Sequence, residues 1–201
     1  SDAVAYAIED HYKPRYAGDV LPRNLIGVSV ALADKLETLV SLFAIGQVPT
    51  GDKDPYALRR HALGVIRMLI EKDLPIELNK LLALVFDIVQ DETIAQQWQQ
   101  TMVDEQRSVA IPKRPVLTTE IVEQLHQFIS DRLAGVLREQ GYTAQEVDAV
   151  LALNPQHLND IPKRLAAVRA FSSLPEAASL AAANKRVSNI LKKVEHEIND
   201  R

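Results

Sequence analysis

Apolar residues in this chain return every three or four positions, and that spacing commits it to helices. Leu25, Val28, Leu32, Leu36, Leu39 and Phe43 form one such stripe. Leu58, Ala62, Val65, Ile66, Leu69 and Ile70 cover a wider face of the next segment, wide enough to imply burial between other helices. No period-two alternation of the kind a strand needs survives anywhere, so the expected fold class is all-α. Composition agrees: Leu, Ala, Ile, Val, Glu and Gln dominate, with 7 glycines and 5% aromatics. At 201 residues and 47% apolar content, the chain can build one large core or two small ones.

Breakers and caps divide the pattern. Asp2 to His11 reads as a short helix ended by Pro14, and Ser1-Asp2 reads as a mid-protein cut or a tag remnant. Pro22 or Asn24 opens the long first stripe and Gly46 stops it. The far face of that helix carries Gly27, Asp34, Thr38 and Ser41, small or polar enough to let another backbone approach; a buried Asp34 would need a cation or several donors. Asp54 fits an N-cap and Pro55 a first helical position. Gly64 falls mid-helix at a cost of about 1 kcal/mol relative to Ala, which points to close helix contact there. "PIELNKLLALVFDIVQ" reads as another helix, and "DETIAQQWQQTMVDEQRS" as a polar one anchored by Ile94, Trp98 and Met102. The prolines of "AIPKRPVLT" place a linker at 111–117, dividing a domain at 1–110 from one at 118–201. Thr118 caps the next helix and Gly141 stops it; Thr143 with Glu146 forms a capping box; Asn154-Pro155 is a break; a short and a long helix follow.

Several chemistries are excluded or weak. There is no cysteine, hence no disulfide, thiolate site or cysteine nucleophile. No apolar run approaches the roughly 18 residues of a membrane span, and residues 1–20 lack the basic start and apolar core of a secretory signal. There is no G-x-S-x-G, and the 5 histidines (His11, His61, His126, His157, His196) form no metal-ligand spacing. A formal net charge of −4 removes any bulk attraction to nucleic acid, so RNA contact has to be local.

Two local features stand out. "GQVPTGDKDPYALRR" sets Lys53 beside a helix N-terminus, where an anion could bind, but Asp52 and Asp54 already occupy that end and the P-loop spacing is absent. Arg59, Arg60 and Arg67 follow; Arg60 and Arg67 share a face and could grip an RNA backbone, or pair instead with Asp34, Asp52 or Glu71. In "ANKRVSNILKK", Lys185 shares a face with Lys192, and Arg186 with Lys193; these cations offer a surface to RNA or a partner, or simply complement the helix dipole.

The words themselves carry a resemblance. "EDHYKPRYAGDVLP", "ALADKLETLVSLFAIGQVPTGDKDPYALRRHALGVIR", "FISDRLAGVLREQGYTAQEVDAVLA" and "LAAANKRVSNILKK" resemble the C-terminal half of the β subunit of bacterial, heterotetrameric glycyl-tRNA synthetase. The likeness runs along nearly the whole chain and is weakest at 85–117. It implies an enzyme that joins glycine to tRNA(Gly) with ATP and Mg, both held at a class II α subunit, while the β subunit handles tRNA. It implies the later part of an HD-like helical domain followed by a second helical bundle, ahead of an anticodon-binding domain that this piece does not contain. Only Asp34 could match the HD pattern, so no metal is expected. The fragment alone is then expected to be inactive, without a cofactor of its own. Its expected partners are tRNA(Gly), the α subunit and other β-subunit domains, in the cytoplasm, with neither membrane nor DNA. Lys53, Arg59, Arg60, Arg67, Lys185, Arg186, Lys192 and Lys193 are the candidate tRNA contacts, and Asp34, Asp52 and Asp54 the candidate structural motif. An HD-type metal-dependent phosphohydrolase and a purely structural scaffold are the rival readings.

Overall fold

A computed structural model describes residues 2–91 and 118–199, with side chains other than Gln90 described as far as Leu191. The expected 111–117 linker and the polar segment holding Ile94, Trp98 and Met102 lie outside the described residues. Among the described residues the chain is all-α: α1 (Asp2–Asp10), α2 (Leu25–Ala44), α3 (Leu58–Glu71), α4 (Leu78–Gln90), α5 (Thr119–Glu139), α6 (Ala144–Leu151), a 3-10 turn (Leu158–Asp160), α7 (Ile161–Ser172) and α8 (Ala177–Asn199). Packing divides it into one compact unit at Ser1–Ile161 and another at Pro162–Arg201.

In the first unit α3 packs against α2, α5 and the 3-10 turn, and α2 also meets α1, α4 and α5. The burial of α3 follows its sequence: Leu58, Ala62, Leu63, Val65, Ile66, Met68 and Leu69 all lie inside. From α2 come Val28, Ala31, Leu32, Leu36, Leu39, Val40 and Phe43, with the Phe43 ring 5.2 Å from that of Phe128 on α5. Leu78, Leu82 and Phe86 present one face of α4, and Leu125, Ile129 and Leu133 one face of α5. One expected stripe member is corrected: Leu25, the first residue of α2, is 68% exposed, although Gly27 and Val28 in the same turn are buried.

Helix ends follow hydrogen-bond accounting. Asn24 caps α2, its Oδ1 accepting from Gly27 N at 2.9 Å. Gly46, at φ 75°, ends it with the paired Gly46 N→Phe43 O and Gln47 N→Leu42 O bonds of a Schellman motif. Gly141 does the same for α5, through Arg138 O and Leu137 O. The Thr143–Glu146 capping box is formed in both directions. Thr118 occupies the cap position of α5 without a side-chain cap bond. The start of α4 is capped from far along the chain: Leu78 N donates to Gln156 O at 2.9 Å and Asn79 N to Gln156 Oε1 at 3.2 Å.

In the second unit, α7 and α8 are joined by a turn in which Leu174 N reaches Phe171 O and Ala177 N reaches Leu174 O. The described side chains of α8 from Ala178 to Leu191 are exposed throughout.

The packing separates two leucines of the same helix. Leu36→Ala should lower unfolding free energy by about 2–5 kcal/mol, and Leu25→Ala should stay within about 0.5 kcal/mol of the parent in denaturant titrations.

Candidate nucleic-acid interface

The loop before α3 is closed on itself. Thr50 and Lys53 exchange backbone bonds, with Lys53 N at 2.9 Å from Thr50 O and Thr50 N at 3.2 Å from Lys53 O. The expected helix start is corrected. Pro55 and Tyr56 form a turn, Ala57 takes a left-handed conformation (φ 56°), and α3 begins at Leu58. Asp54 still serves the helix end from outside it: its carboxylate accepts from Leu58 N at 2.8 Å and Arg59 N at 3.0 Å. A carboxylate on two free N–H groups of a helix start is electrostatically favourable. Asp52 is exposed.

The arginines of this segment divide. Arg59 reaches back to the loop, its Nη2 donating to Gly51 O at 2.6 Å. Arg67 is held on three sides: Nη1 donates to Asp19 O at 2.7 Å, and Nε and Nη2 to Glu71 at 2.6 and 3.1 Å. Arg60 and Lys53 are exposed, with no side-chain hydrogen bond or ion pair among the described residues. Of the alternatives open to these arginines, the loop carbonyl takes Arg59 and Glu71 takes Arg67, while Asp34 is exposed on α2 with no arginine paired to it among the described residues.

The residue after it is one that sequence reasoning missed. Lys35 is 3% exposed, and its ammonium donates to His11 O at 3.1 Å. Burial pushes the Lys35 ammonium below its usual range. A Cβ on Gly64 would lie 2.8 Å from both Cδ and Cε of Lys35, so the mid-helix glycine is the slot through which this side chain passes. His61 sits alongside with Nδ1 buried and unpaired; burial first, and then Lys35, lowers its pKa. The signal was present: Lys35 is four residues from Ala31 and from Leu39, squarely on the apolar stripe.

Two buried carboxylates fix the loop from α1 to α2. Asp10 accepts from Arg23 N and from Lys13 Nζ, both at 2.8 Å, and from the Arg23 guanidinium. Asp19 accepts from Arg15 N and Arg15 Nε, each at 2.8 Å, and from Val20 N at 2.9 Å. The Arg23 guanidinium holds the Asp10 carboxyl, and the Arg15 guanidinium that of Asp19, well below the usual carboxylate range. Arg23 also pairs with Glu9 and lies 4.2 Å from the Tyr6 ring centroid.

At the other end of the chain, Lys185 and Arg186 are exposed on α8, again with no side-chain partner among the described residues. Lys192 and Lys193 continue the same helix, but their side chains lie outside the described residues. Among the described residues, no group of three or more His, Asp or Glu could hold a metal ion, and no helix is long and apolar enough to cross a membrane.

Comparison with known proteins adds a family to this geometry. The family model described as "Glycyl-tRNA synthetase beta subunit" matches residues 1–152. The glycine–tRNA ligase β subunit of Nitrosomonas europaea is 66% identical over 194 residues, covering 96% of this chain and 26% of the relative. That of a Janthinobacterium strain is 63% identical over 193 residues, covering 96% and 24%. That of Leptothrix cholodnii is 58% identical over 200 residues, covering 100% and 24%. The chain thus spans about a quarter of the length of the curated relatives it matches.

Two outcomes test the buried charges. Gly64→Ala should cost about 1–3 kcal/mol despite the better helix propensity of Ala, because the methyl displaces Lys35. Lys35→Ala, which removes both atoms the methyl would meet, should relieve much of that cost in the double variant, read as a coupling in a denaturant cycle. Asp10 and Asp19 stay ionised to lower pH in the folded than in the unfolded chain. Their stabilisation is therefore complete above the unfolded carboxylate pKa of about 4 and drains away as pH falls below it. Tm should drop on acidification through that range, and Asp10→Asn with Asp19→Asn should lower Tm at neutral pH while flattening the acid slope.

Proposed function

Because this chain belongs to the glycyl-tRNA synthetase β-subunit family, we propose that it is a tRNA-handling section of a glycine–tRNA ligase. In this reading the ATP-dependent joining of glycine to tRNA(Gly) takes place on the α subunit, where ATP and Mg bind. The present section makes no bond and holds no cofactor. It works in the cytoplasm beside the α subunit and other β-subunit domains, and its contribution is to bind and orient a polyanion.

One observation carries the reading. Arg15, Arg23, Arg59 and Arg67 are engaged with carboxylate or main-chain oxygens, whereas Lys53, Arg60, Lys185 and Arg186 face solvent without a carboxylate partner among the described residues. The engaged arginines build the fold; the others are available for phosphate. With a formal net charge of −4 on the whole chain, attraction to RNA has to come from such local groups. Lys53 and Arg60 gain from standing at the N-terminal end of α3, whose loop and cap are rigidly bonded. A phosphate contact from a fixed scaffold loses less side-chain and loop freedom on binding.

Binding to tRNA(Gly), followed by gel shift at graded salt, should weaken steeply as salt rises. Arg60→Glu and Lys185→Glu should each weaken it about three- to tenfold and lower the salt slope by about one, in line with the loss of one phosphate contact. Affinity that is indifferent to salt and to both substitutions would leave only a scaffold role.

A further inference from the structure

Between Lys53 and Arg60 lies an exposed aromatic residue with no bonded partner of its own. Tyr56 stands at the third position of the turn 54–57, which Ala57 N closes by donating to Asp54 O at 3.1 Å. It is 47% exposed. Among the described residues its hydroxyl has no hydrogen-bond partner, and its ring meets neither another ring nor a guanidinium. The other tyrosines differ. The Arg23 guanidinium lies over the Tyr6 ring at 4.2 Å, the His11 ring lies against Tyr12 at 3.8 Å, and the Arg15 guanidinium is 5.8 Å from the Tyr16 ring. Tyr142 is half-buried.

The support under Tyr56 is stiff. Pro55 before it has a fixed φ, Thr50 and Lys53 exchange main-chain bonds, Asp54 accepts from Leu58 N and Arg59 N, and Arg59 reaches back to Gly51 O. A ring held outward on a braced turn gives up little freedom when something settles on it. The chain holds the Cα of Lys53 within about 11 Å of Tyr56 and that of Arg60 within about 14 Å, so two open cations stand within side-chain reach of whatever covers the ring.

We propose that Tyr56 stacks on an unpaired base of tRNA while Lys53 and Arg60 hold phosphates of the same strand. The inference rests on the tRNA-handling reading above and names the part of the RNA this site takes. Every base has a π-face that an aromatic ring can cover, and flanking cations serve the backbone that runs past it. The base has to be unpaired, in a loop or at an end, because a base inside a duplex is already stacked above and below. The surroundings suit RNA better than protein. Apart from Pro55, no exposed apolar side chain accompanies Tyr56 within residues 50–60, so the ring is not the centre of the packed apolar cluster that a protein hot spot needs. Of the two carboxylates in that stretch, Asp54 is turned onto N–H groups, which leaves Asp52 against two open cations.

Binding of tRNA(Gly) to a full-length β subunit carrying this section, assembled with its α subunit, tests the stacking. Tyr56→Ala should weaken binding about five- to a hundredfold, and Tyr56→Phe should stay within about twofold of the parent. Neither should move the Tm of the 201-residue chain, since the side chain is exposed and unbonded. Stacking releases no counterions, so Tyr56→Ala should keep the salt slope that Arg60→Glu lowers by about one. Ultraviolet crosslinking of Tyr56 to tRNA(Gly), mapped by mass spectrometry, should fall on an unpaired nucleotide. A crosslink inside a base-paired stem would overturn the stacking, as would parental affinity in Tyr56→Ala while Arg60→Glu still weakens binding; both leave the tRNA reading in place. Equal losses in Tyr56→Ala and Tyr56→Phe would replace stacking by a hydrogen bond from the hydroxyl. Normal tRNA binding with release of the α subunit in Tyr56→Ala would reassign the ring to a protein interface and overturn the proposal. Binding indifferent to salt and to all of these substitutions would remove the tRNA reading itself, and this inference with it.

Discussion

A helix walled in by its neighbours tolerates little, and α3 is in that position. With α2, α5 and the 3-10 turn around it, Leu58, Val65, Ile66, Met68 and Leu69 have no route to water. Any group that crosses this interface has to be accommodated by a missing atom elsewhere. Lys35 crosses it, and Gly64 is the missing atom. The ammonium then lands on the carbonyl of His11, just past the end of α1, so the same crossing fastens the N-terminal helix to the core. A buried cation with a main-chain acceptor is a costly way to join helices, but a directional one, because the hydrogen bond to the His11 carbonyl fixes where the ammonium sits.

The charged side chains show a division of labour that net charge conceals. Asp10 and Asp19 gather main-chain N–H groups and guanidinium groups into two knots that shape a loop with no regular structure of its own. Asp54 performs the same service for the α3 end. These carboxylates and their arginines are internal bracing. Lys53, Arg60, Lys185 and Arg186 stand apart from that bracing, which is why the reading of a polyanion surface attaches to them.

Much of the fold could be read from the residues. Periodicity locates α2 and α3 with nearly all their buried members, and turn chemistry places Gly46, Gly141 and the Thr143–Glu146 box, because these depend on local hydrogen bonds. The failures are of a different kind. Leu25 fits the stripe but is the first residue of its helix, and only Gly27 and Val28 of that turn are packed. Asp34 draws attention as a candidate buried charge, yet its neighbour Lys35 is the one inside: a helix turns 100° per residue, and a one-position error moves a side chain from the core to the surface. The Asp54-Pro55 pair sets the helix start a turn too early, because the left-handed Ala57 that delays the helix has no residue-type signature. The roles of Asp10 and Asp19 are invisible in the sequence, since they depend on where a coil segment comes to rest. For the candidate interface, residue type flags every cation; the i,i+4 spacing to Glu71 already offers Arg67 a partner, and the tertiary contact to Asp19 O, which no spacing foretells, completes its separation from Arg60, seven residues away on one face.

The cap on α4 bears on the order in which the chain can assemble. Asn79 N is satisfied by a side chain 77 positions later, and Asn159 Nδ2 reaches Asp73 Oδ1 at 2.9 Å across 86. During synthesis the first turn of α4 leaves the ribosome with its N–H groups facing water, and it waits there until the segment around Gln156 has been translated. The closing of that helix is thus a late event, and a ribosome that paused before residue 156 would hold α4 with an open end.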